Sequence, residues 1–265
     1  MNNNRRTAFI LAAGLGTRLR ELTSDRPKAM VEMNGKPLIE YVIDKLISQN
    51  FNHIVINVHH FGEKIIDYVN SKDFGDVKVE ISDERDMLFL TGGAILKALP
   101  YFENSKAVLI HNVDIFSDYD FQAEYDAFMK SDDAAWLFTQ NRNNKSKVAF
   151  DKNNNYVGTY NIETNVFDSD RDFSVVDKLY AFSGLHLFKP QYFKDFELKK
   201  CHVWKLYKEI SKTNNVRSAM IEPNFWFDLG TPEQLKEVEQ WLLSQKSKLG
   251  RRLVNPRRLT GAFEA

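Results

Sequence analysis

Cysteine is all but missing from these 265 residues: Cys201 stands alone. A single thiol excludes a disulfide framework within the chain and fits a reducing compartment. Net charge is missing as well, because 36 basic side chains balance 36 acidic ones. The basic footprint of a nucleic-acid binder is therefore absent, and an anionic ligand must be held by local groups rather than by a global field. Long apolar runs are lacking too. The run from Ala8 to Ala13 stops at Gly14, far short of the ~20 residues that span a bilayer. Behind the polar start Met1-Asn2-Asn3-Asn4-Arg5-Arg6 it is also too short for the apolar core of a secretory signal. The expected location is cytoplasmic, with neither membrane nor nucleic acid among the partners. Low-complexity linkers and internal repeats are absent from these residues, with no sign of the hexapeptide period that builds a β-helix.

What is present is alternation. Thr7 to Ala12, Ile54 to Val58, Val77 to Ile81 and Ala107 to His111 read as strands, the apolar ones buried on both faces. Between them, Pro37 to Gln49, Glu63 to Val69 and Gly93 to Leu99 show helical spacing, the last stopped by Pro100. Strand–helix alternation over the first ~120 residues implies βαβ units and a mostly parallel, doubly wound sheet. Right-handed crossovers then gather the loops that follow the strands on one edge, where such folds bind ligands. The second half is richer in strands: Ala134 to Thr139, Val148 to Asp151, Tyr156 to Asn161 and Tyr180 to Phe188, with a polar loop from Asn141 to Lys147 and a turn at Asn153-Asn154-Asn155. Thr231 as N-cap, Pro232 in the first helical position and Glu233 in the first turn start a closing helix that runs to Leu243. The expected organisation is one catalytic domain over residues 1–250 with a small substrate-facing β lobe, then a basic tail over 251–265.

The most informative stretch follows the first strand: Leu11-Ala12-Ala13-Gly14-Leu15-Gly16-Thr17-Arg18-Leu19. Small residues let backbone N–H groups approach a polyphosphate, and Arg18 can engage two phosphate oxygens at once. Two familiar glycine loops do not fit. The dinucleotide fingerprint needs a third glycine where Leu19 stands, and the P-loop needs a terminal Gly-Lys-Ser/Thr that is missing. Lys28, behind Pro27, brings a positive charge shortly after the loop.

Gly14-Leu15-Gly16-Thr17-Arg18-Leu19 followed by Pro27-Lys28 resembles the signature of the sugar-1-phosphate nucleotidyltransferase family, G-x-G-T-R-[LM] then P-K. Gly35-Lys36-Pro37-Leu38-Ile39 matches the stretch that comes next in that family. Glu21-Leu22-Thr23 stands where the family usually has Pro-Leu-Thr, so one proline is lost. The resemblance covers Thr7 to about Leu243. It implies a Rossmann-like nucleotidyltransferase fold, a mixed, mostly parallel central sheet flanked by helices.

The resemblance also implies a site. Leu11, Ala12, Ala13, Gly14, Gly16, Thr17, Arg18, Thr91, Gly92 and Asn112 would bind the nucleotide, with the backbone of Ala12, Ala13, Gly92 and Gly93 near base and ribose. Arg18, Lys28 and Asp114 would act on the phosphates. Asp114, after the strand ending at His111, stands where the family has Gly-Asp, with Val113 replacing the glycine. Asp228, in Trp226-Phe227-Asp228-Leu229-Gly230-Thr231-Pro232, matches the late W-x-D-[LVI]-G-T-P motif and would pair with Asp114 on Mg²⁺. Such an ion takes one or two carboxylates plus phosphate oxygens. Ser183 and Gly184, in a strand resembling the one that lines the sugar, and Asn161 would meet the acceptor. The Glu-Lys-Pro triplet of longer members is absent near residue 160.

The expected reaction joins a nucleoside triphosphate, UTP favoured, to a phosphorylated small molecule. The best match among short members is the N-acetylmuramate-1-phosphate uridylyltransferase type. Glucose-1-phosphate and mannose-1-phosphate transferases stay open, as does a choline-phosphate cytidylyltransferase whose cation would sit among Tyr160, Tyr180, Phe182 and Trp204. So does a silent nucleotide-sugar sensor, although the presence of Lys28, Asp114 and Asp228 argues against it. Either a monomer or a homodimer fits. His59, His60 and His111 need no catalytic role, and Cys201, despite Lys199 and Lys200 beside it, reads as incidental.

Overall fold

A computed structural model describes residues 5–254, with side chains through residue 244. Met1–Asn4 and residues 255–265 of the expected tail lie outside the described residues. β1 (Thr7–Leu11) is apolar after Thr7 and almost wholly buried, as a central strand covered on both faces must be. The loop after it passes through short 3₁₀ turns and the ribbon β2 (Glu32–Met33) and β3 (Lys36–Pro37) into α1 (Leu38–Ser48). There follow β4 (His53–Val58), α2 (Gly62–Asn70), β5 (Lys78–Asp83), α3 (Leu90–Ala98) and β6 (Val108–Asn112). The pairings β5–β4–β1–β6 are all parallel.

After β6 the chain changes character. β7 (Ile115–Ser117) and α4 (Gln122–Lys130) precede β8 (Ala135–Gln140), β9 (Ser146–Phe150), β10 (Tyr156–Asn161), β11 (Val166–Asp168) and β12 (Lys178–Phe188). α5 (Val203–Ile210), β13 (Val216–Met220), β14 (Trp226–Asp228) and α6 (Pro232–Val254) complete the described residues. β12 runs antiparallel to β6 through Leu185–Phe188 and to β9 through Lys178–Tyr180. One strand therefore joins the main sheet to the β9–β10–β11 lobe. Its pairing with β8 slips between Phe182 and His186, around Gly184 at φ +84°.

Alternate side chains of the central strands enter opposite layers. Ala8, Ile10, Ile54 and Ile56 meet α1, α2 and α4, whereas Phe9, Val55, Val108 and Ile110 meet α3 and α5. This two-sided burial is why those strands read as continuous apolar runs. A third cluster of Leu19, Met33, Leu38, Leu229, Leu235 and Val238 ties the loop after β1 to the start of α6. The expected cap is formed: Thr231 Oγ1 accepts from Gln234 N at 3.3 Å. α3 begins earlier than its spacing suggests, at Leu90, so that Thr91, Gly92 and Gly93 lie in its first turn. No helix among the described residues is long and apolar enough to cross a membrane.

Candidate active site

Parallel register sets the ends of three strands abreast. Leu11 is paired with Asn57 on one side and with Asn112 on the other. The loops beyond them enclose a cavity of about 390 Å³. Of the residues expected to hold the nucleotide or act on its phosphates, Leu11, Ala13, Gly14, Gly16, Thr17, Lys28, Thr91, Asn112 and Asp114 line it.

The two loop glycines serve different needs. Gly16 has φ +65°, and a Cβ there would lie 2.9 Å from Thr23 Cγ2 and 3.1 Å from Lys28 Cβ. The loop is thus folded down onto Thr23 and Lys28, and Thr23 Oγ1 donates to Gly16 O at 3.2 Å. A Cβ on Gly14 would meet nothing within 4 Å. Protein packing does not require glycine at that position, and the open space adjoins the cavity.

Asn57 was not legible as a site residue, yet it fixes the start of the loop. Its Oδ1 accepts from the N–H groups of Ala12 at 2.7 Å and Ala13 at 3.2 Å, while its Nδ2 donates to Glu84 Oε1 at 2.9 Å. Glu84 is fully buried, also accepts from Phe89 N, and lines the same cavity. Burial pushes its carboxyl above the usual range. The sequence signal was an amide interrupting the apolar run Ile54-Val55-Ile56-Asn57-Val58.

At the mouth, β7 and β14 form an antiparallel ribbon that pairs Asp228 with Ile115, and Leu229 N donates to Asp114 O at 2.8 Å. The ribbon brings Asp114 and Asp228 together from residues 114 positions apart in the chain. Lys28 Nζ lies 2.5 Å from Asp114 Oδ2. Arg18 Nη2 lies 3.8 Å from Asp228 Oδ1 and rests on Gly230. Burial and the neighbouring Asp114 charge raise the Asp228 pKa, and Lys28, Arg18 and Arg142 only partly oppose them. Asp228 Oδ1 is buried without a hydrogen-bond partner. Two close carboxylates, one holding an orphaned buried oxygen, suit a divalent cation. No group of three or more metal-ligating side chains occurs among the described residues.

The sequence profile of the family described as nucleotidyl transferase matches residues 7–245. The chain belongs to that family. It is 39% identical over 116 residues to the N-acetylmuramate alpha-1-phosphate uridylyltransferase of Caulobacter vibrioides, an alignment that spans 43% of this chain and about half (48%) of that relative. It is 28% identical to the D-glycero-alpha-D-manno-heptose 1-phosphate guanylyltransferase of Campylobacter jejuni, over 85% of this chain and 95% of the relative. The crystal structure of HddC from Yersinia pseudotuberculosis complexed with GMP-PN shares the fold at a TM-score of 0.71 and 22% identity, covering 89% of this chain and 99% of that one.

Within this nucleotidyl transferase domain several residues sit otherwise than expected. The N–H groups of Ala12 and Ala13 both donate to Asn57 Oδ1, while Ala13 lines the cavity. Gly92 N and Gly93 N both donate to Cys201 O, and a Cβ at Gly92 would lie 2.8 Å from the His202 backbone. Those glycines make room for the 199–202 segment. Thr91 lines the cavity, but its Oγ1 already accepts from Val203 N at 3.0 Å. Leu88, Leu90 and His202 line it without having been foreseen.

On the acceptor side, Asn161 is turned away from the expected role: its Oδ1 caps the β10–β11 turn by accepting from Glu163 N and Thr164 N. Ser183 is fully buried. The space beside Gly184 is filled by Ile115, 2.6 Å from a hypothetical Cβ, and by Asn112 Nδ2 at 3.2 Å. The missing side chain thus makes room for Ile115. The four aromatics do not form one cage. Phe182 and Trp204 meet edge to face, while Tyr160 meets Phe173 and Tyr180 meets Phe150. Cys201 is buried, and burial raises its thiol pKa despite the lysines nearby. His111 is buried and held neutral, its pKa lowered to about 3 by burial.

Proposed function

We propose that this chain transfers a nucleoside monophosphate from a nucleoside triphosphate to a sugar 1-phosphate and releases pyrophosphate. The observation that carries the reading is the cluster of Lys28, Asp114, Asp228 and Arg18 at the mouth of the cavity behind Gly14 and Gly16. Phosphoryl-type transfer asks a protein for positioning and charge stabilisation more than for covalent chemistry. An oxygen of the acceptor phosphate attacks the α-phosphorus in line; the bond to the bridging oxygen breaks and the β- and γ-phosphates depart together.

The acceptor phosphate, with a second pKa of about 6, is already largely ionised near neutrality and needs no general base. Lys28 offsets the charge that the two approaching anions bring together. Arg18, exposed and resting on Gly230 beside Asp228, steadies the departing pyrophosphate. The Asn57–Glu84 pair holds the loop start in place. Mg²⁺ held by Asp114 and Asp228 would supply further charge neutralisation on the phosphate oxygens when bound.

UTP and N-acetylmuramate 1-phosphate are the first substrates to test, supported by the Caulobacter relative. A second reading keeps the reaction and replaces them with GTP and a manno-configured sugar 1-phosphate, supported by the Campylobacter relative that aligns over nearly its whole length. Pyrophosphate release decides between them. The four nucleoside triphosphates and dTTP would be crossed with N-acetylmuramate, glucose and mannose 1-phosphates and with phosphocholine, with and without Mg²⁺. A single Mg²⁺-dependent combination fixes both substrates. Silence throughout, from protein that still binds a nucleotide sugar, overturns the enzyme reading in favour of a sensor.

A further inference from the structure

Arg142 stands in the polar loop between β8 and β9, and no motif points to it. Its guanidinium lies 3.8 Å from the Trp226 ring centroid. Nε donates to Gln140 Oε1 at 3.1 Å and Nη2 to the Phe182 carbonyl at 2.6 Å. The platform beneath it is itself fixed, since Trp226 Nε1 donates to the Ser183 carbonyl at 3.0 Å. Lys147 Nζ holds the Arg142 carbonyl at 2.6 Å. Residues of three strands therefore hold this guanidinium in one orientation, a planar fork fixed in advance, while Lys147 fixes the backbone it springs from.

Arg142 makes no ion pair within 4 Å among the described residues, and its Nη1 has no hydrogen-bond partner there. The carboxylate whose field reaches it is Asp228. Arg142 rests on the residue two positions before Asp228, and Arg18 rests on the residue two positions after it. Asp228 is thus flanked by two guanidinium groups. Neither guanidinium lines the nucleotide cavity, but Arg18 follows the cavity-lining Gly14–Thr17 loop directly in the chain, whereas Arg142 comes from the loop between β8 and β9. Stapling β8, β12 and β14 together uses only the stacking and two of the donors. The Nη1 donors remain, without a hydrogen-bond partner among the described residues.

We propose that Arg142 is the clamp for the phosphate of the sugar 1-phosphate. This assignment rests on the transfer reaction proposed above. In-line displacement requires the entering and leaving oxygens on opposite sides of the α-phosphorus, so the two anions need separate cationic partners. Lys28 and Arg18 serve the triphosphate. Arg142 serves the acceptor, and its fork fits two phosphate oxygens.

The test compares wild type with Arg142→Lys and Arg142→Met. The acceptor is whichever of N-acetylmuramate, glucose or mannose 1-phosphate the wild type turns over. Losing a charged hydrogen-bond pair should raise the acceptor KM about 10- to 100-fold in both variants, with the triphosphate dissociation constant unchanged within about twofold. Added methylguanidine should restore part of the rate in Arg142→Met. A folded variant with an unchanged acceptor KM, or one in which both substrates weaken together, overturns the clamp and leaves a structural staple. If Arg142→Met does not fold, Arg142→Lys, which keeps the stem and the charge but not the fork, decides alone. A wild type silent with all three acceptors would sink the reaction itself, and this assignment with it.

Discussion

The guanidinium of Arg18 lies against the bare Cα of Gly230: a methyl group built there would come within 2.5 Å of Nη2 and 2.6 Å of Cζ. The two residues belong to motifs more than two hundred positions apart, and each explains the other. Gly230→Ala should leave the fold intact, because the atoms displaced are the far end of a flexible, exposed side chain. It should nevertheless push Arg18 off Asp228. We expect turnover to fall about 10- to 100-fold, the value of a charged hydrogen bond, with stability changed by less than about 1 kcal/mol. Arg18→Ala should give a similar loss, and the double variant should lose little more. Full activity in Gly230→Ala would sink the idea that this contact sets the Arg18 position.

The loop glycines allow a cleaner separation. At Gly16 the backbone is left-handed and the space is taken by Thr23 and Lys28, so Gly16→Ala should cost about 1–2 kcal/mol from the backbone alone and lower Tm. At Gly14 the protein leaves the space open. Gly14→Ala should therefore melt at or slightly above the wild-type temperature while binding the triphosphate more weakly, since the added methyl stands beside the cavity. Thermal melts paired with nucleotide titration test both variants. Equal melting losses at the two positions would mean that the loop is not arranged as described.

Asp228 illustrates a conflict between stability and chemistry. Its carboxyl pKa is raised by burial and by Asp114. A carboxyl raised in the folded state destabilises that state as pH climbs from the unfolded value, ~3.8, through the raised one, and the whole penalty is present at pH 7. Removing the charge should relieve it. Asp228→Asn is expected to have a higher Tm than wild type in EDTA at pH 7, to lose the stabilisation that added Mg²⁺ gives wild type, and to turn over on the order of 10³-fold more slowly. A lower Tm in EDTA would show that the Arg18 contact outweighs the repulsion from Asp114.

Much of this was readable before any coordinates. Continuous apolar strands betrayed a two-sided sheet because burial on both faces removes alternation, as in Ile54-Val55-Ile56. The carboxylates stood at motif positions, and the β7–β14 ribbon brings them together. What stayed hidden depended on pairings with no local signature. Glu84 and Asn57 look like ordinary polar residues until the β4–β5 register sets their segments side by side. Gly92 and Gly93 looked like ligand-facing glycines, yet they are small because the backbone near Cys201 crosses them, and glycine alone cannot say which neighbour needs the room. Asn161 sat in the right stretch but spends its oxygen on a turn. Arg142 owes its orientation to Trp226, Gln140 and Phe182, and only the meeting of β8, β12 and β14 reveals that it has no ion pair among the described residues.

The buried histidines set the acid limit of the fold. His186 is fully enclosed between Phe182 and Tyr207, with both ring nitrogens unpartnered, and burial lowers its pKa to about 3. His111 behaves alike. A histidine depressed on folding stays neutral in the native state but takes up a proton when unfolded, below about pH 6.5. Its contribution is complete above pH 6.5 and is lost as pH falls toward 3. With two such groups the unfolding free energy should drop by up to about 2.7 kcal/mol per pH unit in that window, at 1.36 per proton. His186→Leu removes one proton from the linkage and two orphaned nitrogens from the core. Denaturant melts from pH 7 to pH 4.5 should show a shallower decline for this variant, by as much as about half of the histidine slope, and stability at pH 7 equal to or above wild type. Parallel curves for the two proteins would mean that His186 is solvated or paired in solution and titrates near its ordinary value.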